Sequence, residues 1–227
     1  NPEEPGAIDL ALETAKTFDA DLVIANDPDA DRCAAAVKDP VTGWRMLRGD
    51  ELGAILGESI ARKSSDGIFA NSIVSSSILK KIAGHYNLDF KETLTGFKWL
   101  AKVKGLTFGY EEALGYAVDA KTVNDKDGIS AAITVAQIAT DLAADGKTLL
   151  DLLDEIWSRH GFHATEQISI RLSDLSKVDV ILGGLRANPP QNIAGRVVTS
   201  IDDLAAPTDG LPPTDGLRIW LDGGVRI

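Results

Sequence analysis

The chain has 227 residues, with 34 acidic and 23 basic side chains and a formal net charge of −11. This acidic balance argues against a nucleic-acid partner, because Lys and Arg would then dominate to neutralise phosphates. No apolar run approaches the roughly 20 residues that a membrane-spanning helix needs, and the single cysteine, Cys33, excludes an internal disulfide. The composition therefore indicates a globular, cytoplasmic protein without a nucleic-acid or membrane partner.

The first part of the chain predicts a helix, a strand and a hairpin. Apolar residues at helical spacing predict a helix over 8–18. The apolar run over 21–26 is typical of a strand that is buried on both faces. Two further segments, 33–37 and 44–47, flank a turn-forming stretch and predict a β-hairpin.

From Gly49 onward the pattern alternates between helices and strands, and Asp50 is expected to cap the first of these helices. The predicted elements are a helix over 51–63, a strand over 67–74, a helix over 76–86, a strand near 90, a helix from 97, a strand over 106–110 and helices over 129–144 and 148–160. Such a series predicts an α/β fold, with a mixed, mostly parallel sheet and helices on both of its faces.

After Gly161 the pattern changes again. A long strand is expected over 162–172, a helix over 175–185, and strands over 196–201 and 217–221. This mixture predicts a smaller α+β domain, truncated at the end of the chain. The start at Asn1 rather than at a methionine also indicates a piece of a longer protein.

The most specific signal follows the predicted strand over 21–26. Asp27, Asp29 and Asp31 are spaced so that three carboxylates in one turn can converge on a hard cation. Mg²⁺ prefers such oxygen ligands and keeps positions for water or a phosphate. Arg32 can offset the surplus negative charge or hold a phosphate oxygen. Because ligands bind at the carboxyl ends of strands in α/β sheets, the sequence predicts a metal–phosphate site here.

Other interpretations of this turn compete with the metal–phosphate site. A calcium-binding EF-hand loop is excluded, because it requires Gly where Arg32 stands and Glu where Lys38 stands. A magnesium-dependent phosphatase that uses Asp27 as its nucleophile stays open. So does a solvated acidic turn.

Asp27-Pro28-Asp29-Ala30-Asp31-Arg32 resembles the metal loop of the α-D-phosphohexomutase family, the phosphoglucomutases and phosphomannomutases. Three further segments resemble family motifs, in the family's order. Residues 95–99 resemble its Thr-Gly loop, residues 109–116 its sugar-binding loop, and residues 125–128 the Lys-Asp-Gly stretch that opens the next helix. Four ordered motifs carry more weight than any single short one.

The resemblance implies that the chain holds the end of domain 2 (residues 1–47), domain 3 (48–158) and a truncated domain 4 (159–227). It implies an intramolecular phosphotransferase, in which a phosphoserine exchanges its phosphoryl group with a phosphosugar substrate. The reaction interconverts the 1-phosphate of a sugar and its 6-phosphate or 5-phosphate, and a bisphosphosugar is the intermediate. Since the family's serine segment is absent from these residues, we expect no mutase turnover from the fragment by itself. A non-catalytic remnant of such an enzyme, which binds Mg²⁺ and a phosphosugar, stays open as an alternative.

The resemblance also implies residue roles. Asp27, Asp29 and Asp31 would bind Mg²⁺, and Arg32 would stabilise the transferred phosphoryl group. Glu111 would accept hydrogen bonds from two sugar hydroxyls. The remaining implied residues are Lys126, as an acid, a base or a phosphate contact, and Thr95, Gly96, Lys98 and Ala113 at the substrate. Ala113 stands where many relatives have Ser, and this form of the loop resembles a subgroup that includes enzymes active on hexose and pentose phosphates.

Overall fold

The structure, a computed structural model, describes residues 2–4, 6–170, 172–174 and 176–227. These residues form two units, Asn1–Thr165 and Glu166–Ile227. Within the described ranges, no helix is both long enough and apolar enough to cross a membrane.

The first unit begins with a helix and a small antiparallel sheet. Its elements are α1 (Asp9–Thr17), β1 (Leu22–Asn26), β2 (Cys33–Asp39) and β3 (Gly43–Met46), with the strand order β1-β2-β3. The predicted helix and hairpin are confirmed. The expectation that the strand over 21–26 is buried on both faces was wrong, because Val23 is the one buried residue of β1. The edge position leaves β1 with a single neighbour, whereas the central β2 is buried over 33–37.

A four-stranded sheet forms the middle of the first unit. Its strands are β4 (Ile68–Ser72), β5 (Asp89–Thr93), β6 (Leu106–Glu111) and β7 (Gly115–Ala117), in the order β5-β4-β6-β7. The first three are parallel and β7 pairs antiparallel with β6. The predicted mixed, mostly parallel sheet is therefore confirmed, with β7 as a strand that the sequence pattern did not indicate.

Helices cover both faces of this sheet, as predicted. They are α2 (Gly49–Ala61), α3 (Ile78–His85), α4 (Phe97–Leu100), α5 (Gly128–Ala144) and α6 (Leu149–His160). Phe69 of β4 lies in the main core with residues of α2 and α3. The next residue, Ala70, packs with Phe97 and Leu100 of α4 in a second cluster. Successive side chains of a strand point to opposite faces, so the two clusters lie on opposite sides of the sheet.

The first turns of α6 and α2 differ in whether their polar side chains bind neighbouring residues or residues distant in sequence. The helix predicted over 148–160 is confirmed as α6. At its start the Thr148 hydroxyl accepts from the amide of Asp151, whose carboxylate accepts from the amide of Thr148. The prediction that Asp50 caps α2 was wrong. Its buried carboxylate lies inside the first turn and accepts from the Ser76 amide at 2.6 Å and from the Tyr110 hydroxyl at 2.8 Å. Donors distant in sequence thus determine its position, since a buried carboxylate needs partners.

The second unit contains α7 (Ser176–Ala187), β8 (Asn192–Ile193), β9 (Arg196–Asp203) and β10 (Leu217–Leu221), followed by a 3₁₀ helix at Asp222–Gly224. The three strands form an antiparallel sheet in the order β10-β9-β8. The predicted helix and the two later strands are confirmed, although Leu175 lies outside the described residues.

The long strand predicted over 162–172 was wrong. Residues 162–170 and 172 adopt no regular structure, and Arg171 lies outside the described residues. Ile168 and Ile170 are 85 % and 79 % exposed. A β-strand needs a hydrogen-bonded neighbour, and none of the described strands pairs with this segment.

Candidate functional site

The aspartate loop, residues 27–32, connects β1 to β2. One carboxylate oxygen from each of Asp27, Asp29 and Asp31 lies within 4.8 Å of the other two. Oxygen ligands about 2.1 Å from a Mg²⁺ ion lie roughly 3–4 Å apart, so small side-chain rotations allow these three to converge on one cation. The structure thus brings together the three residues that the sequence singles out as metal ligands.

The carboxylate of Asp27 is buried and held by Arg32. The Arg32 amide donates to Oδ1 at 3.0 Å, and its Nε donates to Oδ2 at 2.6 Å. Burial raises the pKa of Asp27, but the hydrogen bonds and the positive charge of Arg32 outweigh burial and hold the pKa at about 2. Asp27 is therefore ionised at neutral pH, the state in which a carboxylate binds metal.

Lys126, just before α5, contacts Asp31 of the aspartate loop. Its Nζ lies 2.6 Å from Oδ2 of Asp31. Burial lowers the pKa of Lys126, but the hydrogen bond and the negative charge of Asp31 outweigh burial and raise the pKa above its ordinary value. The ammonium group can bind a phosphate in this state, and it cannot accept a proton at neutral pH.

A second group of site residues lies at the carboxyl ends of the parallel strands. Glu111 is the last residue of β6, and its carboxylate accepts from the amide of Gly96, in the loop after β5, at 2.5 Å. Burial raises the pKa of Glu111, and the like charge of Glu112 adds to that rise, although the Gly96 bond and the charge of Lys126 oppose it. The carboxylate thus has one oxygen fixed by the protein.

Glu112 has partners that the sequence does not reveal. Its Oε2 accepts from the hydroxyls of Ser72 and Ser75 at 3.0 Å and 2.8 Å, and its amide donates to Ser75 Oγ at 3.1 Å. These serines lie in or after β4, 40 and 37 positions earlier in the chain. The adjacent glutamates therefore bind two different loops, a division that an acidic pair in a sequence cannot show.

The other predicted substrate residues lie beside these loops. Thr95 and Ala113 are exposed, and they are the sequence neighbours of Gly96 and Glu112. Lys98 is exposed on α4, with its Nζ 5.7 Å from the centre of the Trp99 ring.

Backbone contacts join the aspartate loop to the segment that follows Glu112. The amide of Cys33 donates to the carbonyl of Leu114 at 3.1 Å, and Arg32 forms an isolated antiparallel bridge with Gly115. The predicted metal ligands and the predicted sugar-binding glutamate thus belong to directly connected parts of the first unit. The aspartate-loop carboxylates, Glu111, the Arg32 guanidinium and the Lys126 ammonium suit a ligand that carries both hydroxyls and phosphate.

Comparison with known proteins gives a consistent result. Two family models match this chain: "Phosphoglucomutase/phosphomannomutase, alpha/beta/alpha domain II" over residues 1–43 and "alpha/beta/alpha domain III" of the same family over residues 48–160. A Haemophilus influenzae protein named "Probable phosphomannomutase" is 49 % identical, over 100 % of this chain and 47 % of that protein. The mouse phosphopentomutase is 36 % identical, over 94 % of this chain and 38 % of that protein. The chain thus spans less than half the length of these relatives.

Solved structures agree on the fold. The crystal structure of a phosphoglucomutase/phosphomannomutase family protein from Burkholderia thailandensis superposes with a TM-score of 0.67 at 16 % identity, over 96 % of this chain and 41 % of that one. The two family models and the sequence identity to these relatives agree with the fold. The chain belongs to the phosphoglucomutase/phosphomannomutase family.

Proposed function

We propose that the whole protein is a phosphosugar mutase, which interconverts the 1-phosphate and the 6-phosphate or 5-phosphate of a sugar through a phosphoserine and a bisphosphosugar. The observation that supports this most directly is the convergence of Asp27, Asp29 and Asp31 beside Arg32, in a chain of this family. The chain spans 47 % of its Haemophilus influenzae relative. The proposal places the phosphoserine in polypeptide outside these residues, so we expect no turnover from them alone.

Mg²⁺ fits the aspartate loop, because all three donors are carboxylate oxygens and Asp27 is ionised at neutral pH. Asp27, Asp29 and Asp31 would hold the ion. When bound, the ion supplies positive charge that stabilises a phosphoryl group during transfer.

Arg32 and Lys126 supply further positive charge at the same place. Arg32 uses Nε for Asp27, so its terminal nitrogens can donate to two oxygens of one phosphoryl group. Lys126 stays protonated through its contact with Asp31 and would bind phosphate electrostatically. Both residues would act mainly by positioning and charge, as phosphoryl transfer requires.

Glu111 would bind the sugar. Gly96 holds one of its carboxylate oxygens, which orients the other to accept sugar hydroxyls. Thr95, Lys98 and Ala113 would complete the contacts from the adjoining loops. The relatives named phosphomannomutase and phosphopentomutase support a hexose or pentose phosphate as the substrate.

Mass spectrometry of the full-length protein after incubation with a sugar bisphosphate tests the reaction class. We expect one phosphoserine, located outside residues 1–227. A phosphate on Asp27 would instead identify an aspartyl phosphatase and contradict the mutase.

Calorimetric titration with Mg²⁺ tests the ligand assignment on the 227-residue chain. We expect Asp29→Asn to weaken binding about tenfold or more, because it replaces a carboxylate ligand with an amide. The matched control is Asp66→Asn, which removes the same charge from an exposed loop. Equal affinity in the Asp29 variant and the wild type would contradict the assignment.

A further inference from the structure

The two ends of the aspartate loop are connected by a side chain that is not a candidate ligand. Asn26, the last residue of β1, donates from Nδ2 to the carbonyl of Arg32 at 2.7 Å. Asn26 and Cys33 also form the last residue pair of the β1–β2 ladder. The hydrogen bond from Asn26 to Arg32 therefore joins the two ends of the aspartate loop, one before Asp27 and the other after Asp31.

The middle of the loop lies directly on the start of α5. The amide of Gly128, the first residue of that helix, donates to the carbonyl of Ala30 at 3.2 Å. A Cβ atom at Gly128 would lie 2.4 Å from the Arg32 carbonyl oxygen, 2.6 Å from Asn26 Nδ2 and 2.7 Å from the Ala30 carbonyl oxygen. Two of these three atoms belong to the backbone, so no side chain fits between the helix and the loop.

The contacts with α5 involve Ala30, which lies in the turn between Asp29 and Asp31. Ala30 has a left-handed φ of +56°, and its amide donates to the carbonyl of Asp27 at 2.9 Å. An L-residue other than glycine rarely adopts this conformation unless its surroundings hold it there. Gly128 binds the carbonyl of that same residue. The loop shape that brings Asp27, Asp29 and Asp31 together thus depends on contacts outside the loop.

We propose that Asn26 and Gly128 are positioning residues of the metal site, and this rests on the proposed binding of a divalent cation by the aspartate loop. Neither residue supplies a ligand atom. Asn26 fixes the distance between the loop ends, and Gly128, by having no side chain, lets the loop dock on α5. Loss of a partner that orients metal ligands typically weakens metal binding about 10–100-fold.

Electron paramagnetic resonance titration with Mn²⁺ tests the proposal on the 227-residue chain. Mn²⁺ takes the same carboxylate oxygens as Mg²⁺. We expect Gly128→Ala and Asn26→Ala each to weaken binding about 10–100-fold. The matched control is Gly84→Ala in α3, where an added Cβ meets no atom within 4 Å, and its Mn²⁺ affinity should equal that of the wild type.

An NMR measurement without metal separates positioning from general stabilisation. The Arg32 amide donates to the ionised Asp27, so its proton shift reports the loop shape. We expect both variants to move the Arg32 amide resonance, while amides of the second unit keep their shifts. Gly84→Ala should leave the Arg32 resonance in place.

The outcomes are distinct. Wild-type Mn²⁺ affinity in Asn26→Ala and Gly128→Ala would overturn the positioning role and leave the proposed function intact. If Gly128→Ala does not fold, Asn26→Ala decides alone, because Asn26 is exposed and its removal leaves the core intact. A wild-type chain that binds no Mn²⁺ would overturn the metal site, and the positioning role with it.

Discussion

The amide nitrogen of Gly96 lies 2.5 Å from a carboxylate oxygen of Glu111, which connects the loop after β5 to the end of β6. The next residue, Glu112, accepts from Ser72, the last residue of β4, and from Ser75 in the loop that follows. Since β4, β5 and β6 are parallel, the loops after them meet at one edge of the sheet. Two adjacent carboxylates therefore hold three loops together.

The pKa of Glu111 should depend on its neighbour. Burial raises this pKa and the charge of Glu112 raises it further, so Glu112→Gln should lower it towards the ordinary glutamate value. The carboxyl carbon shift of Glu111, followed by NMR against pH, measures the change. Asp89→Asn, at the opposite end of β5, should leave the titration unchanged. A pKa of Glu111 that stays the same or rises in Glu112→Gln would contradict the raising effect of the Glu112 charge.

Removal of the serine hydroxyls should destabilise the fold. In the Ser72→Ala/Ser75→Ala variant, Oε2 of the half-buried Glu112 carboxylate loses the two hydroxyls that donate hydrogen bonds to it. We expect this loss to lower the free energy of unfolding by about 1–3 kcal/mol. Urea denaturation of variant and wild type measures the loss. The exposed Ser65→Ala is the control and should change the free energy of unfolding by less than about 0.5 kcal/mol. An unchanged double variant would mean that water replaces both hydroxyls at no cost.

Gly49 should tolerate no side chain. An added Cβ would lie 1.7 Å from the carbonyl oxygen of Glu112, a backbone atom that cannot move without the loop it belongs to. Gly49→Ala should therefore lower stability by about 1–3 kcal/mol or more. Gly84→Ala, which adds the same methyl group in open space, serves as the comparison in thermal denaturation. Equal midpoints for the two variants would contradict the close approach of α2 to the Glu112 loop.

Stability should fall in acid because of Glu58, which is fully buried in α2. Burial raises its pKa, but bonds from the Tyr86 hydroxyl at 2.7 Å and from Arg62 at 3.0 Å, with the charge of Arg159, outweigh burial and lower the pKa below the ordinary 4.5. A lowered folded-state pKa contributes stability above about pH 4.5, and this contribution is lost as pH falls through the folded-state value.

Glu58→Gln tests this acid dependence. We expect it to cost about 1–3 kcal/mol at neutral pH, because a neutral amide replaces the buried, charged acceptor of the Tyr86 hydroxyl and of the more exposed Arg62 and Arg159. We also expect it to flatten the decline in acid. The control is Asp154→Asn, an exposed carboxylate on α6, which should cost less than about 0.5 kcal/mol. Denaturation curves from neutral to acid pH measure both variants. An equal acid decline in Glu58→Gln and wild type would assign the decline to other carboxylates.

Local patterns in the sequence predicted those features that depend on neighbouring residues. The helix predicted over 148–160 is α6, and its cap joins Thr148 and Asp151, which are only three positions apart. The strand predicted over 162–172 failed for the opposite reason, because its apolar residues are β-formers but pairing depends on another segment. Asp50 likewise carries the signature of a helix cap, yet its partner Tyr110 lies 60 positions away.

The sequence by itself determined which residues form the aspartate loop, since three carboxylates within five consecutive positions are close enough in the chain to face one cation. It also determined the alternation of helices and strands, because hydrophobic periodicity is a local property. Only the tertiary structure decided that Gly128 supports that loop and that Ser72 and Ser75 hold Glu112. Those contacts join segments far apart in the chain, and their geometry exists only after the sheet and helices have packed.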